Sequence, residues 1–169
     1  MLTGTEFAEN ALNLLGEPYN NVDCIGVVRL AAHIKCSGTN WLWRSYKNSP
    51  KYKYLKERAD CAPELSQLQD GLLVFRIKWT QVPDGYTDRP NCHHVGVIYG
   101  QDVIQSNSGR GVYRSAYKSS EWNGCGELKG IDYACPFLTK VQDITEPELS
   151  DHEMIKALYN YFIGQGQND

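Results

Sequence analysis

The fold is decided by one stretch, Leu14-Leu-Gly-Glu-Pro-Tyr-Asn-Asn-Val-Asp-Cys-Ile-Gly-Val-Val-Arg-Leu-Ala-Ala-His33. It predicts the end of one helix, a loop, and a second helix that begins at Cys24. Gly16 favours termination of the first helix, because a residue without Cβ adopts the left-handed conformation at little cost. Asp23 is a favourable N-cap, since its carboxylate accepts the unpaired N–H groups of the first turn. Cys24 is therefore expected at the first helical position, where the helix dipole favours a thiolate.

The helix that follows is apolar on nearly every side from residue 24 to residue 34. Such a helix is buried at the centre of a fold rather than lying on its surface. A cysteine at the start of a buried helix, reached through a loop, is the arrangement that a cysteine nucleophile requires.

The composition describes one ordinary globular domain of 169 residues, with 41% hydrophobic and 22% charged residues. The formal net charge of -3 argues against a nucleic-acid partner. No apolar run is long enough to span a membrane, and residues 1–16 lack the basic start of a signal peptide. We therefore expect synthesis in the cytoplasm, with release by another route if the chain acts outside the cell.

The six cysteines are expected to be free thiols, because the chain is not small and shows no secretion signal. No C-x-x-C pair occurs, which removes the usual structural zinc signature. The sequence Cys92-His93-His94 packs three possible ligands too closely, with no second cluster, to predict a metal site. Neither a metal nor a cofactor is expected.

Outward from the central stretch, residues 3–15 predict an amphipathic helix that begins with a capping box of Thr3 and Glu6. Residues 36–70 have the character of an insertion with little regular pattern, with a weak helix over 52–60. Trp41 lies in this insertion. Its indole either packs the segment onto the domain or lines a binding groove.

The second half of the chain predicts strands. They are expected at 72–79, 94–99, 102–106, 112–115, 130–133 and 137–141, with a loop at 121–126. A last helix is expected from about 146 to 163, and residues 165–169 read as a tail or the start of a linker. The order predicts an α+β fold with an antiparallel sheet, in one domain over residues 1–164.

A cysteine nucleophile needs a base, and four histidines are available. His33 lies on the helix of Cys24, more than two turns away, and His152 falls near the start of the last helix. His93 and His94 remain, at the mouth of the predicted hairpin, with side chains on opposite faces of the strand.

A third polar group must orient the base. If Tyr99 pairs with Asp102 across a two-residue turn, Gln105 and Asn107 share a face with His94. Either amide oxygen can accept the proton of one ring nitrogen and leave the other nitrogen free to face sulfur. Spacing alone leaves both amides open.

Four motifs now carry a family resemblance. They are Gly16-Glu-Pro-Tyr19, Asp23-Cys-Ile-Gly26, Asp70-Gly-Leu-Leu-Val-Phe75, and His94-Val-Gly-Val-Ile-Tyr99 followed by Val103-Ile-Gln105. In this order they resemble the motifs of the NlpC/P60 cysteine peptidases, which are papain-like cell-wall hydrolases. The resemblance implies a papain-like fold with N-terminal helices packed on the sheet.

The resemblance also implies roles for individual residues. Cys24 would be the nucleophile, His94 the base and Gln105 the third polar residue. Tyr19 resembles the tyrosine that shapes the substrate cleft beside the nucleophile. Asp23 would reach the substrate in addition to capping the helix. With Trp41 as a groove residue, Tyr19 and Asp23 complete the expected substrate-binding set.

The implied activity is hydrolysis of an amide bond in the stem peptide of peptidoglycan, between γ-D-glutamate and a diamino acid. The chain would be a phage or prophage lysin acting at the bacterial cell wall. The chain departs from the NlpC/P60 pattern in two places, and both bear on the choice of substrate. Ile25 stands where the family usually has serine, and the insertion at 36–70 is longer than in the simplest members of the family. The alternatives are a catalytically inactive module that binds wall or protein, and a papain-like amidase or acyltransferase on another substrate.

Overall fold

A six-stranded antiparallel sheet forms the body of the computed structural model, which describes residues 1–44, 54–80 and 89–134. The strands of this sheet are β2 (Leu55–Ala59), β3 (Leu73–Thr80), β4 (Arg89–Tyr99), β5 (Asp102–Asn107), β6 (Gly111–Ala116) and β7 (Gly124–Leu128). Their order is β2-β7-β3-β4-β5-β6. A separate parallel pair joins β1 (Leu2–Thr3) to β8 (Ile131–Asp132).

Within the described residues, three α-helices accompany the sheet: α1 (Gly4–Leu12), α2 (Cys24–Ala32) and α3 (Thr39–Arg44). Helices α1 and α2 pack on each other and on β4, and α2 also contacts β5. Apolar side chains of both helices and of strands β3, β4 and β5 form one buried cluster. The predicted α+β arrangement with an antiparallel sheet is confirmed.

Local sequence signals predicted several boundaries. Thr3 and Glu6 form the expected capping box. Gly16 has the expected positive φ of 88°, but α1 ends at Leu12 with Asn13 as its C-cap, before the expected end at residue 15. The predicted pairing of Tyr99 with Asp102 is observed. Helix α2 ends earlier than expected, because His33 adopts a left-handed conformation with φ of 55°.

Two sequence-based assignments were wrong. Residues 55–59 form strand β2 rather than part of a weak helix, and residues 124–128 form strand β7 rather than a loop. These two strands pair with each other, so each segment obtains its backbone hydrogen bonds from a distant part of the chain. The predicted strand at 137–141, the last helix at 146–163 and the tail lie outside the described residues.

The loop before α2 is attached to the edge of the sheet. The Gly16 N–H donates to the Val112 carbonyl at 2.9 Å, and the Val112 N–H donates to the Glu17 carbonyl at 2.8 Å. A Cβ at Gly111, where φ is 68°, would collide with the Glu17 carbonyl oxygen. Glycine at position 111 therefore permits the close approach of the loop and β6.

We predict that Gly111→Ala destabilises the fold more than Gly100→Ala. Both glycines have positive φ, so each alanine costs about 1–2 kcal/mol in backbone conformation. A Cβ at Gly100 meets no atom within 4 Å, whereas at Gly111 overpacking against the Glu17 carbonyl adds roughly 1–3 kcal/mol. Urea unfolding of the two variants measures the difference, and equal losses of stability would contradict the proposed contact.

Candidate active site

Cys24 is the first residue of α2, as the sequence predicts. Asp23 is the N-cap residue, and its Oδ1 accepts a hydrogen bond from the Gly26 N–H at 2.7 Å. The Cys24 side chain is 8% exposed, and its Sγ lies 3.6 Å from Oγ1 of Thr39. The thiol therefore stands at a capped helix start with one hydroxyl as its neighbour.

A row of three hydrogen-bonded side chains crosses strands β4, β5 and β6. His94 Nε2 lies 2.8 Å from Gln105 Oε1, and Gln105 Nε2 donates to Ser115 Oγ at 2.9 Å. Gln105 is 2% exposed, so its amide has little access to water. Each residue of the row stands on a different strand of one sheet, which fixes their relative positions.

This row favours one protonation pattern of the imidazole. Gln105 Oε1 faces His94, and Gln105 Nε2 faces Ser115 Oγ. With the amide in this orientation, its hydrogen bond to His94 requires the proton on His94 Nε2. Nδ1 is left with the lone pair, as a general base requires.

Trp122 covers the imidazole. The two rings are stacked with centroids 5.7 Å apart and an interplanar angle of 17°. The Arg76 guanidinium lies over the same indole at 4.8 Å and forms an ion pair with Glu121 at 2.9 Å. The indole thus limits the orientations available to the His94 ring and shields its bond with Gln105.

Burial lowers the pKa of His94 below its ordinary value. The hydrogen bond with Gln105 raises that pKa, and the charges of Arg76 and His93 lower it further. Because burial is the largest cause, the imidazole is held in its neutral form at neutral pH.

The lowered pKa of His94 makes the fold less stable in mild acid. As pH falls below about 6.5, the unfolded chain takes up a proton at this histidine before the folded chain does, so the free energy of unfolding decreases. The loss continues until pH passes the folded-state value and cannot exceed about 1.4 kcal/mol per pH unit from one group. Urea unfolding between pH 7.5 and 5 measures it.

In that experiment His94→Gln should have a shallower pH dependence than the parent protein. His33→Gln, which replaces an exposed imidazole, serves as the matched control and should keep the parent slope. If the free energy of unfolding depends on pH equally in the parent protein and in His94→Gln, the lowered pKa assigned to His94 is contradicted.

Substitutions at Gln105 should shift the His94 pKa in opposite directions. Gln105→Glu places a carboxylate beside the imidazole and raises its pKa, whereas Gln105→Leu removes a hydrogen bond that raises it and lowers the value. Ser115→Ala should also lower the His94 pKa, but less strongly, because the Gln105 amide loses its bond to Ser115 and keeps its bond to His94. NMR titration of the His94 ring protons measures all three, and an unshifted value in Gln105→Glu would show that the two side chains do not interact.

The contacts of Cys24 lead to the histidine strand in three steps. Thr39, beside the thiol, precedes Asn40, whose Oδ1 accepts from the Cys92 N–H at 2.6 Å. The Cys92 thiol in turn contacts the His94 carbonyl at 3.5 Å. Within the described residues the Cys24 thiol and the His94 imidazole form no hydrogen bond with each other.

A bulge in β4 separates the two adjacent histidines. Ile77 pairs with Cys92 and Arg76 pairs with His94, so the β3–β4 register shifts by one residue at His93. His93 is exposed and His94 is half-buried. Bulges commonly redirect a side chain beside a functional site, and here the bulge leaves Cys92 in the core and His94 against Trp122.

The other described cysteines differ from Cys24 in their surroundings. All five described cysteines are free thiols, as expected, and Cys135 lies outside the described residues. Burial raises the pKa of Cys92 to about 12 and also raises the pKa values of Cys36 and Cys125. These three thiols are therefore protonated at neutral pH and are not nucleophiles.

The predicted substrate-binding residues lie on three different elements. Tyr19 is 36% exposed and borders a hollow of about 370 Å³ between the loop before α2 and the β5–β6 turn. Trp41 is 49% exposed on α3, whereas Trp43 is buried and packs on Phe75 with ring centroids 4.8 Å apart. Asp23, besides capping α2, lies 3.6 Å from the Arg29 guanidinium.

The two candidate amides make different contacts. Gln105 bonds to His94, whereas Asn107 accepts from the N–H groups of the following turn and donates to the Tyr113 hydroxyl. Sequence reasoning did not identify Ser115, Trp122 or Thr39. Hairpin arithmetic extended across the next turn would place Ser115 near Gln105, but no local pattern marks the indole or the threonine.

Two further findings concern the described part of the chain. No three histidine, cysteine, aspartate or glutamate side chains gather there as a metal ion would require. None of its helices is long and apolar enough to cross a membrane.

Comparison with known proteins gives one structural likeness. No family model matches the chain, and no curated protein matches it. The NlpC/p60 domain of the peptidoglycan hydrolase SagA matches over 75% of this chain and 99% of that domain, with a TM-score of 0.46 and 16% identity. Similarity at this level defines neither the family nor the activity of the chain, so a function must be argued from the site.

Proposed function

We propose that the chain is a cysteine hydrolase that cleaves an amide bond in the stem peptide of peptidoglycan. The observation that carries the proposal is the row His94–Gln105–Ser115, which leaves His94 Nδ1 as a base. Cys24 supplies the nucleophile at a capped helix start. In this assignment Gln105 orients the base, and Ser115 and Trp122 hold the orienting amide and the ring.

The reaction follows from these roles. His94 Nδ1 takes the Cys24 proton, and the thiolate attacks the carbonyl carbon of the scissile amide. Backbone N–H groups at the start of α2 stabilise the oxyanion. The imidazolium returns its proton to the leaving amine, which leaves a thioester on Cys24. Water, deprotonated by His94, then hydrolyses the thioester and releases the acid.

The first step requires the thiol to exchange its hydroxyl neighbour for the imidazole. Cys24 Sγ lies beside Thr39 Oγ1, and catalytic hydrogen bonds often tighten only when substrate is bound. The proposal therefore requires a rearrangement that brings the Cys24 thiol and the His94 imidazole together, because His94 lies against Gln105 and Trp122 while its neighbour Val95 packs in the core with Cys24.

The four ordered motifs support peptidoglycan as the substrate class. The family resemblance of these motifs implies that Tyr19 and Asp23 lie beside the nucleophile and that Gln105 orients His94. We further propose the bond between γ-D-glutamate and a diamino acid as the target, Trp41 as a groove residue, and action at the cell wall after release from the cell in which the chain is made. A phage or prophage lysin would act in this way.

A catalytically inactive binding module is the second candidate. The observation in its favour is the contact of the thiol with Thr39 rather than with His94. Such a module would bind wall fragments through exposed aromatic residues such as Trp41, and its binding would not depend on the Cys24 sulfur.

Replacement of Cys24 distinguishes the cysteine hydrolase from the inactive binding module. Digestion of purified peptidoglycan by the parent protein should release peptide fragments, and Cys24→Ala should reduce the rate by about 10³-fold or more, because the covalent route is lost. Cys61→Ser, which alters an exposed thiol, should retain the parent rate. Mass spectrometry of the released fragments identifies the bond.

Three outcomes would contradict the proposal. Equal digestion by the parent protein and Cys24→Ala excludes the nucleophile, and binding to peptidoglycan without any release of fragments favours the inactive module. Fragments joined to an added amine, rather than hydrolysed, assign an acyltransferase.

A further inference from the structure

Arg110 lies on the turn between β5 and β6, and its guanidinium has no acidic partner among the described residues. Its neighbours differ in this respect. Arg114 binds Asp102 at 2.5 Å, and Arg76 binds Glu121 at 2.9 Å. The Arg110 charge is therefore available to a ligand.

The turn holds this arginine in place. Asn107 Oδ1 accepts from the N–H groups of Gly109 at 3.1 Å and Arg110 at 3.0 Å, and Asn107 Nδ2 donates to the Tyr113 hydroxyl at 2.9 Å. The Arg110 guanidinium lies over the Tyr113 ring, 4.2 Å from its centroid. Arg110 is exposed, and its contact with the ring restricts the side chain, so less side-chain entropy is lost when an anion binds.

Arg110 borders two hollows at once. One, of about 370 Å³, is lined by the loop that leads to Cys24, including Tyr19. The other, of about 290 Å³, is lined by Gln105, Tyr113 and Ser115. An extended ligand that passes from the loop before Cys24 towards the amide behind His94 would cross the guanidinium.

The charges around the second hollow also favour an anion. Lys118 and Glu121 line it together with Arg110. Glu121 is bound to Arg76 and lies 3.8 Å from the Lys118 ammonium, so its negative charge is already compensated. The positive charge of Arg110 is therefore not compensated by a carboxylate among the residues that line this hollow.

We propose that Arg110 binds a free carboxylate of the peptide substrate and thereby selects peptides that carry one. The inference rests on the proposed function, because that function supplies the peptide. In a stem peptide with γ-linked D-glutamate, the α-carboxylate of the glutamate is such a group. A guanidinium binds it with two parallel N–H donors, and a carboxamide offers no negative charge to this pair.

The test measures binding rather than turnover, in the full-length Cys24→Ala protein. Two synthetic stem-peptide fragments are used, identical except that the α-carboxyl of the γ-linked D-glutamate is free in one and amidated in the other. Isothermal titration calorimetry should give an affinity about tenfold higher for the free acid, the effect expected of one charge-assisted hydrogen-bond pair.

Three further substitutions in the Cys24→Ala protein test whether Arg110 causes the preference for the free-acid fragment. Arg110→Gln should bind both fragments within about twofold of each other, whereas Arg110→Lys should keep part of the preference because the charge remains. Arg114→Gln, which removes a neighbouring arginine paired with Asp102, should keep the full preference. The bonds of Asn107 to the turn use backbone N–H groups and are not altered by the side-chain changes at 110.

Three results of the binding experiment would contradict a carboxylate site at Arg110. A preference that survives in Arg110→Gln, equal binding of the two fragments before substitution, or no binding of either fragment at millimolar concentration overturns the inference. Cleavage of the same fragments by the protein with Cys24 intact is measured separately. A carboxylate preference at Arg110 without cleavage would overturn the proposed hydrolase and leave the carboxylate site standing.

Discussion

The hydrogen bond between His94 and Gln105, at 2.8 Å, is the constraint on which the candidate site depends. An imidazole acts as a base only when one nitrogen is free and the ring is held still. Gln105 is hydrogen bonded to Nε2 and also to Ser115, and Trp122 is stacked on the ring. The cost of burying the Gln105 amide is offset because both of its ends are hydrogen bonded.

The position of the thiol depends on a second set of contacts. The loop before α2 is bonded to β6 through Glu17 and Val112, and to β5 through the Ser106 hydroxyl, which donates to the Val22 carbonyl at 2.6 Å. Val22 lies two residues before Cys24. The two strands that carry Gln105 and Ser115 thus also anchor the segment that presents the nucleophile, so one sheet edge determines both halves of the site.

Local signals were sufficient for much of this arrangement. The N-cap at Asp23, the left-handed Gly16 and the two-residue hairpin turn depend on a few neighbouring residues, and these assignments were correct. The bulge at His93 and strand β7 could not be predicted, because they depend on pairing with distant strands. In β7 every residue is buried, including the charged Glu127, so no alternating pattern marks the strand.

Trapping the covalent intermediate tests the central claim most directly. A digestion of stem-peptide fragments is quenched with acid, and the protein is cleaved by trypsin and examined by mass spectrometry. The account predicts a thioester adduct on the fragment of residues 1–29, in which Cys24 is the only cysteine. Product formation with the adduct on another cysteine, or with no adduct under conditions that preserve thioesters, would contradict it.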